Sequence, residues 1–139
     1  MAEKLDRLLI SLDQLIRIRN ETSHAILSEC GVPDITVKQI TYLKTIDEQG
    51  EVTFTRLAEI TRNSKPTITE LINRFENMEC VYRERCPHDG RVLYIRLTDK
   101  GRRIARADNY ALSRLIERMM ETLDEDDIDV LVTLLRKVW

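Results

Sequence analysis

Few side chains in this sequence have the type and spacing for bond-making chemistry. There are two histidines, His24 and His88, and three cysteines, Cys30, Cys80 and Cys86. A Gly-rich phosphate loop, a nucleophile elbow and an HExxH pair are all missing from the sequence, so no enzyme and no cofactor is expected. Cys80 with Cys86-x-His88 lacks the second paired spacing and the fourth ligand of a zinc site. The run Asp124-Glu125-Asp126-Asp127 lacks the glycine and the closing glutamate of a calcium loop, and reads better as acids in a first helical turn, facing its dipole. No metal is expected. Cys86 lies beside Arg85 and His88, whose charge can favour a thiolate, and Cys30 falls at a helix end. Oxidant sensing through Cys30 or Cys86 is therefore an alternative function.

The denser pattern is one of mostly polar, hydrogen-bonding side chains. Ser64, Lys65, Pro66, Thr67, Thr69, Asn73 and Arg74 fall in one stretch, and Arg83, Arg85, His88, Asp89 and Arg91 in another. Hydroxyl, amide and guanidinium groups of this kind bond phosphates and base edges. Pro66 offers only apolar contact, and Glu70 would repel phosphate.

Two elements must position these groups. Ser64 is a favourable N-cap, and Pro66 sits in the first turn, where no intrahelical donor is lost. Ile68, Leu71, Ile72 and Phe75 follow at i, i+3, i+4 and i+7, with Met78 extending the stripe, so a helix buries that face. Lys65, Thr67, Glu70, Asn73, Arg74 and Asn77 are left on the other. The period then becomes two. Leu93, Ile95 and Leu97 alternate with Val92, Tyr94 and Arg96, and Val81 to Cys86 is the expected partner strand. Pro87-His88-Asp89-Gly90-Arg91 is turn chemistry, which puts Arg91 at a hairpin tip.

Around this pair the sequence reads as helices. Leu5, Leu8, Leu9, Leu12, Leu15 and Ile16 start one long helix over roughly residues 3–29, stopped by Gly31 and Pro33. Thr36 with Gln39 is a capping box that opens a second helix, ending before Gln49-Gly50. Glu51 to Thr53 can be a short extended piece, and Phe54 to about Thr61 a short helix. Thr98 caps a last long helical region, and Asp124 opens a final helix whose apolar residues cover most of its circumference.

Length and charge agree with a single domain carrying extensions. The chain has 139 residues, 42% hydrophobic and 33% charged, with a net charge of −2. Residues 36–100 hold 11 basic and 10 acidic side chains, whereas the segments before and after them are net acidic. No apolar run approaches a membrane span, and the acid-bearing first residues do not resemble a secretory signal, so a cytoplasmic location is expected. An odd cysteine count implies no closed disulfide framework. The first helix and the last two carry more apolar surface than one small core can cover, which favours a two-fold dimer.

The order helix, short helix, turn, amphipathic helix, hairpin over 36–100 is that of a winged helix-turn-helix. Ile35-Thr36-Val37-Lys38-Gln39 with Leu43 resembles the "LTxxQxxxL" entry of MarR-type transcriptional regulators. Phe75-Glu76 with Val81 and Arg83 resembles "LExxGLVxR", Asp89-Gly90-Arg91 the "DxR" wing tip, and Leu97-Thr98-Asp99-Lys100-Gly101 the "LTxKG" exit. These lie in order and in register over about half the chain.

The resemblance implies a mainly α fold with a small β-hairpin wing. Residues 1–34 would form an N-terminal dimerisation helix, 35–100 the winged DNA-binding unit, and 101–139 C-terminal dimerisation helices. It implies a homodimeric, sequence-specific regulator of double-stranded DNA. Such a protein is usually a repressor relieved by a small molecule, on a near-palindromic operator. It also implies that Asp89 holds Arg91 in pose. Glu79 departs from the pattern, since the family has glycine there; it must either carry about 1 kcal/mol of left-handed strain or end the helix another way. The competing reading is a winged-helix protein-interaction module that binds no DNA, which Glu70 and the near-neutral unit favour.

Overall fold

The computed structural model describes residues 1–139. Helix α1 spans Ala2–Glu29, α2 Val37–Gln49, α3 Phe54–Thr61 and α4 Lys65–Asn77. Helices α5 (Asp99–Ala105), α6 (Ala107–Thr122) and α7 (Glu125–Leu135) complete the helical set. Strands β1 (Val52–Thr53), β2 (Val81–Arg85) and β3 (Leu93–Leu97) form one antiparallel sheet in the order β1-β3-β2. The fold is thus mainly α with a small wing, as the patterning predicts. The wing is a three-stranded sheet, because Val52 pairs with Ile95 and Thr53 with Tyr94.

Side-chain caps start most of these helices. Thr36 and Gln39 make the expected capping box, the Thr36 hydroxyl accepting from Gln39 N–H and the Gln39 amide oxygen from Thr36 N–H. Thr53, Ser64 and Thr98 accept from the N–H three residues on in α3, α4 and α5. Asp124 and Asp127 form a reciprocal box at α7, so the acidic run is a helix start.

The chain divides into two compact units, 25–107 and 1–24 with 108–139. The first is wider than the winged motif alone. It takes in Leu27 at one end and Ile104, Ala105 and Ala107 at the other, all members of the buried core. Leu43, Ile46, Leu57, Ile68, Ile72, Phe75, Ile95 and Ile104 are fully buried there. Each such side chain contributes roughly 1.5–3 kcal/mol of transfer free energy. A Glu29–Arg103 ion pair and a bidentate Asp47–Arg106 pair at 2.8 Å brace the same unit.

The last helical region is not the single one expected after Thr98. It breaks at Arg106, whose φ of −102° and ψ of 8° leave the helical range. Arg106 holds Asp47 of α2 through two hydrogen bonds at that point.

The second unit is dominated by exposed apolar side chains. Leu5, Leu8, Leu9, Leu12 and Ile16 of α1, Leu112, Ile116 and Met120 of α6, and Val130, Val132, Leu134 and Leu135 of α7 are each at least 40% exposed. No residue of α7 is buried. Ser23 and Ala111 are buried, and the Ser23 hydroxyl donates to Asp108 at 2.9 Å. No helix is long and apolar enough to cross a membrane.

Candidate nucleic-acid interface

Helix α4 owes its orientation to its buried face. Ile68, Ile72 and Phe75 point into the core, so the opposite face carries Lys65, Pro66, Thr67, Thr69, Glu70, Asn73 and Arg74 outward, all exposed. The start is held twice. The Ser64 hydroxyl accepts from Thr67 N–H at 3.3 Å and is hydrogen-bonded to the Thr67 hydroxyl at 2.8 Å. The Thr69 hydroxyl donates to the Lys65 carbonyl at 3.0 Å. Uncapped N–H groups and the positive end of the helix dipole lie at this turn, an arrangement suited to a phosphate.

The turn before α4 is equally constrained. Arg62 sits at φ 56°, in the left-handed region, which turns the chain sharply out of α3. Asn63 Nδ2 donates to the Tyr42 hydroxyl at 2.9 Å and so ties the turn to α2. Between the N-terminal half of α2 and the outer face of α4 runs a groove of about 310 Å³, lined by Thr36, Lys38, Gln39, Tyr42, Thr67, Glu70, Leu71 and Arg74. Lys38 and Arg62 are exposed cations that the sequence reading did not place among the site residues. The signal was available: Lys38 follows a cap, and Arg62 is two residues ahead of one.

Electrostatics on the outer face are mixed. Arg74 and Glu70 pair at 3.9 Å, both more than half exposed, so solvent screens the attraction strongly. Glu70 thus moderates Arg74 and lowers the net positive charge offered there.

The carboxyl end of α4 closes through Glu79. Its φ is 61°, the left-handed conformation expected where the motif has glycine. Glu79 N–H bonds the Glu76 carbonyl at 2.9 Å and Cys80 N–H the Phe75 carbonyl at 2.9 Å, the two bonds of a Schellman cap. The next residues seat α5. Cys80 is fully buried, and that burial pushes its thiol up from the ordinary value. Thr98 N–H bonds the Cys80 carbonyl, the Thr98 hydroxyl bonds the Glu79 carbonyl, and Lys100 Nζ bonds the Met78 carbonyl.

In the hairpin, Val81 faces Leu97, Arg83 faces Ile95 and Arg85 faces Leu93. Period two therefore puts Arg83 on the side of the sheet that faces the helices. Its Nε donates to Glu76 Oε1 at 2.6 Å, its Nη2 to Asn73 Oδ1 at 2.5 Å, and its guanidinium carbon stands 5.0 Å from the Phe54 ring centroid. Asn73 and Arg83, both expected at a duplex, are thus engaged with one another. The reason is the strand register, which turns Arg83 inward.

At the tip, Arg85 Nη1 donates to the Gly90 carbonyl at 2.9 Å and stiffens the turn. Asp89 engages Arg91 at its backbone and not at its guanidinium. Its Oδ1 accepts the Arg91 backbone N–H at 3.0 Å, a local turn bond that leaves the side chain exposed. His88 and Arg91 project from the same tip, both exposed. On the opposite sheet face Arg96 bridges Glu51 and Glu84. Tyr94 meets Cys86 there, and its hydrogen bond to that thiol pushes the phenol up.

Set against known proteins, residues 35–93 match the MarR family model. An HTH-type transcriptional regulator of Mycobacterium leprae is 30% identical over 132 residues, spanning 94% of this chain and 85% of its own. A mutant MarR from E. coli, solved in complex with operator DNA, is 26% identical, covers 94% of each chain and superposes with a TM-score of 0.54. A mutant MepR of S. aureus bound to an oligodeoxyribonucleotide shares the fold at 21% identity and a TM-score of 0.63, covering 99% of this chain and 95% of its own.

Proposed function

Since this chain belongs to the MarR family of transcriptional regulators, we propose that it binds duplex DNA as a homodimer, each copy laying α4 in a major groove and its hairpin tip against the neighbouring backbone. Like its relatives it is a regulator and not an enzyme. The observation that carries the reading is α4 itself. Ile68, Ile72 and Phe75 are fully buried, its first turn is capped, and Lys65, Pro66, Thr67, Thr69 and Arg74 stand outward.

Roles follow from chemistry. Lys65 and the N–H groups beside Ser64 bind phosphate; Thr67, Thr69 and Arg74 reach base edges, with Pro66 for apolar contact. Arg85, His88 and Arg91 hold the backbone or a narrow minor groove, and Asp89 shapes the turn that carries them. The operator is a near-palindrome, as two-fold symmetry demands, with half-sites about 10 bp, one turn of the duplex, apart. The dimer forms through the exposed apolar faces of α1, α6 and α7, within the stretches 1–34 and 101–139. Apolar surface of this extent on one chain is the usual mark of an association surface. The regulator acts as a repressor, and a small-molecule effector releases it.

Two measurements test this. Sedimentation of the purified chain should give a dimer. Anisotropy titration with duplexes selected from a random pool should give salt-dependent binding and a symmetric footprint. A monomer that ignores every duplex at low salt would instead leave the protein-interaction reading, which Glu70 on the outer face of α4 favours.

A further inference from the structure

The half-buried guanidinium of Arg83 joins three elements. From β2 it reaches Asn73 and Glu76, one turn apart on α4, and lies over the ring of Phe54 on α3. Few geometries suit all three partners at once. A planar fork can serve two acceptors along its edge while its face covers a ring; an ammonium group is a point charge and cannot. Asn73 sits on the outward face of α4, where its amide oxygen is already occupied. Arg83 sits on the strand that leads to the hairpin tip. The contact therefore spans the two parts of the molecule that would touch a duplex.

We propose that Arg83 is a positioning residue: with Asn73 and Glu76 it bolts α4 to the hairpin, setting the distance between the helix that reads the duplex and the tip that grips it. The inference rests on the DNA-binding reading for its consequence, but not for its geometry. Asn73 acts through Arg83 and does not read bases. A duplex that fits both contacts at once gains from the bolt, whereas non-specific binding, which needs only charge, does not.

The experiment uses the full chain, a duplex that the wild type selects from a random pool, and a scrambled duplex of equal length, each titrated over a range of KCl. Asn73→Ala should weaken the selected duplex, and the double variant with Arg83→Met should weaken it no further than Arg83→Met alone, because both residues act through one contact. Were Asn73 an independent base or phosphate contact, the two losses would add. Arg83→Lys and Arg83→Met should both weaken the selected duplex about tenfold, and leave the scrambled duplex and its salt slope unchanged. A phosphate contact predicts the reverse: Lys rescues, while Met weakens both duplexes and lowers the salt slope by about 0.9.

Nuclear magnetic resonance of the free protein supplies a readout without DNA. The Arg83 Nε–H should exchange with water more slowly than those of exposed arginines, and Glu76→Gln should speed it. Fast exchange in the wild type overturns the bolt, whatever the duplex titrations give. Slow exchange in a chain that binds no duplex would overturn the DNA-binding reading and, with it, the function assigned to the bolt.

Discussion

Gly101 is the position at which one methyl group should do the most damage. A Cβ built there lies 2.0 Å from the Cys80 carbonyl oxygen and 3.0 Å from its carbon. Ordinary contact begins at 3.4 Å, so α5 and the start of β2 would have to part by about 1.4 Å. The Cβ position is fixed by the α5 backbone and the atoms it meets are backbone, so no rotamer change relieves the clash. The separation would stretch Thr98 N–H to Cys80 O, now 3.0 Å, the Thr98 hydroxyl to Glu79 O, 2.7 Å, and Lys100 Nζ to Met78 O, 2.7 Å. Overpacking of a tight site costs about 1–3 kcal/mol, and each hydrogen bond weakened adds about 0.5–1.5 kcal/mol, so Gly101→Ala should lose about 3 kcal/mol. For a chain of this size that is a fall of about 10 °C in Tm. Differential scanning calorimetry at matched concentration reads it, with Gly90→Ala as control. Gly90 has nothing within 4 Å of its built Cβ and should change stability by less than about 0.5 kcal/mol. A Gly101→Ala protein melting within about 2 °C of wild type would refute the close approach of α5 to Cys80.

Three other outcomes follow from single sites. Glu79→Gly should raise stability by about 0.5–1 kcal/mol, since glycine removes about 1–2 kcal/mol of left-handed strain and returns part of it as unfolded-state entropy; an unchanged or lower denaturant midpoint would count against the Schellman cap. Asp47 is held below its ordinary value of 3.8 chiefly by its hydrogen bond to Arg106, so its stabilisation is present above that value and lost as pH falls through the lowered one. Asp47→Asn should therefore cost about 1 kcal/mol near neutrality, a figure kept low because Arg106 is exposed to screening solvent, and the gap to wild type should close below about pH 4. Arg91→Ala should weaken duplex binding across sequences and lower the salt slope by about 0.9; a loss confined to one operator would make Arg91 a base reader instead.

What was legible in the sequence is what short-range rules decide. Thr36 with Gln39, Ser64, Thr98 and Asp124 were all readable as helix starts, because a cap needs only the next three or four residues. The buried face of α4 was legible through its 3.6 period, and its outward set of donors followed. What escaped was decided by partners far along the chain. Ile104, Ala107 and Ala111 keep helical spacing across Arg106, so nothing local announces the break there. The bidentate partner, Asp47, stands 59 residues away.

Arg83 shows the same division within the site. Arginine beside a hairpin invites a phosphate in a reading by residue type alone. Period two, counted from the buried Val81, already turned Arg83 toward the helices, so its direction was recoverable even though its partners were not. Asp89 and Arg91 mark the remaining limit. Two residues apart, a carboxylate can meet either the guanidinium or the backbone N–H. The latter is nearer and already ordered by the turn, and it is the bond that forms. Arg91 is thereby left exposed at the tip, the condition a group must meet to reach beyond its own subunit.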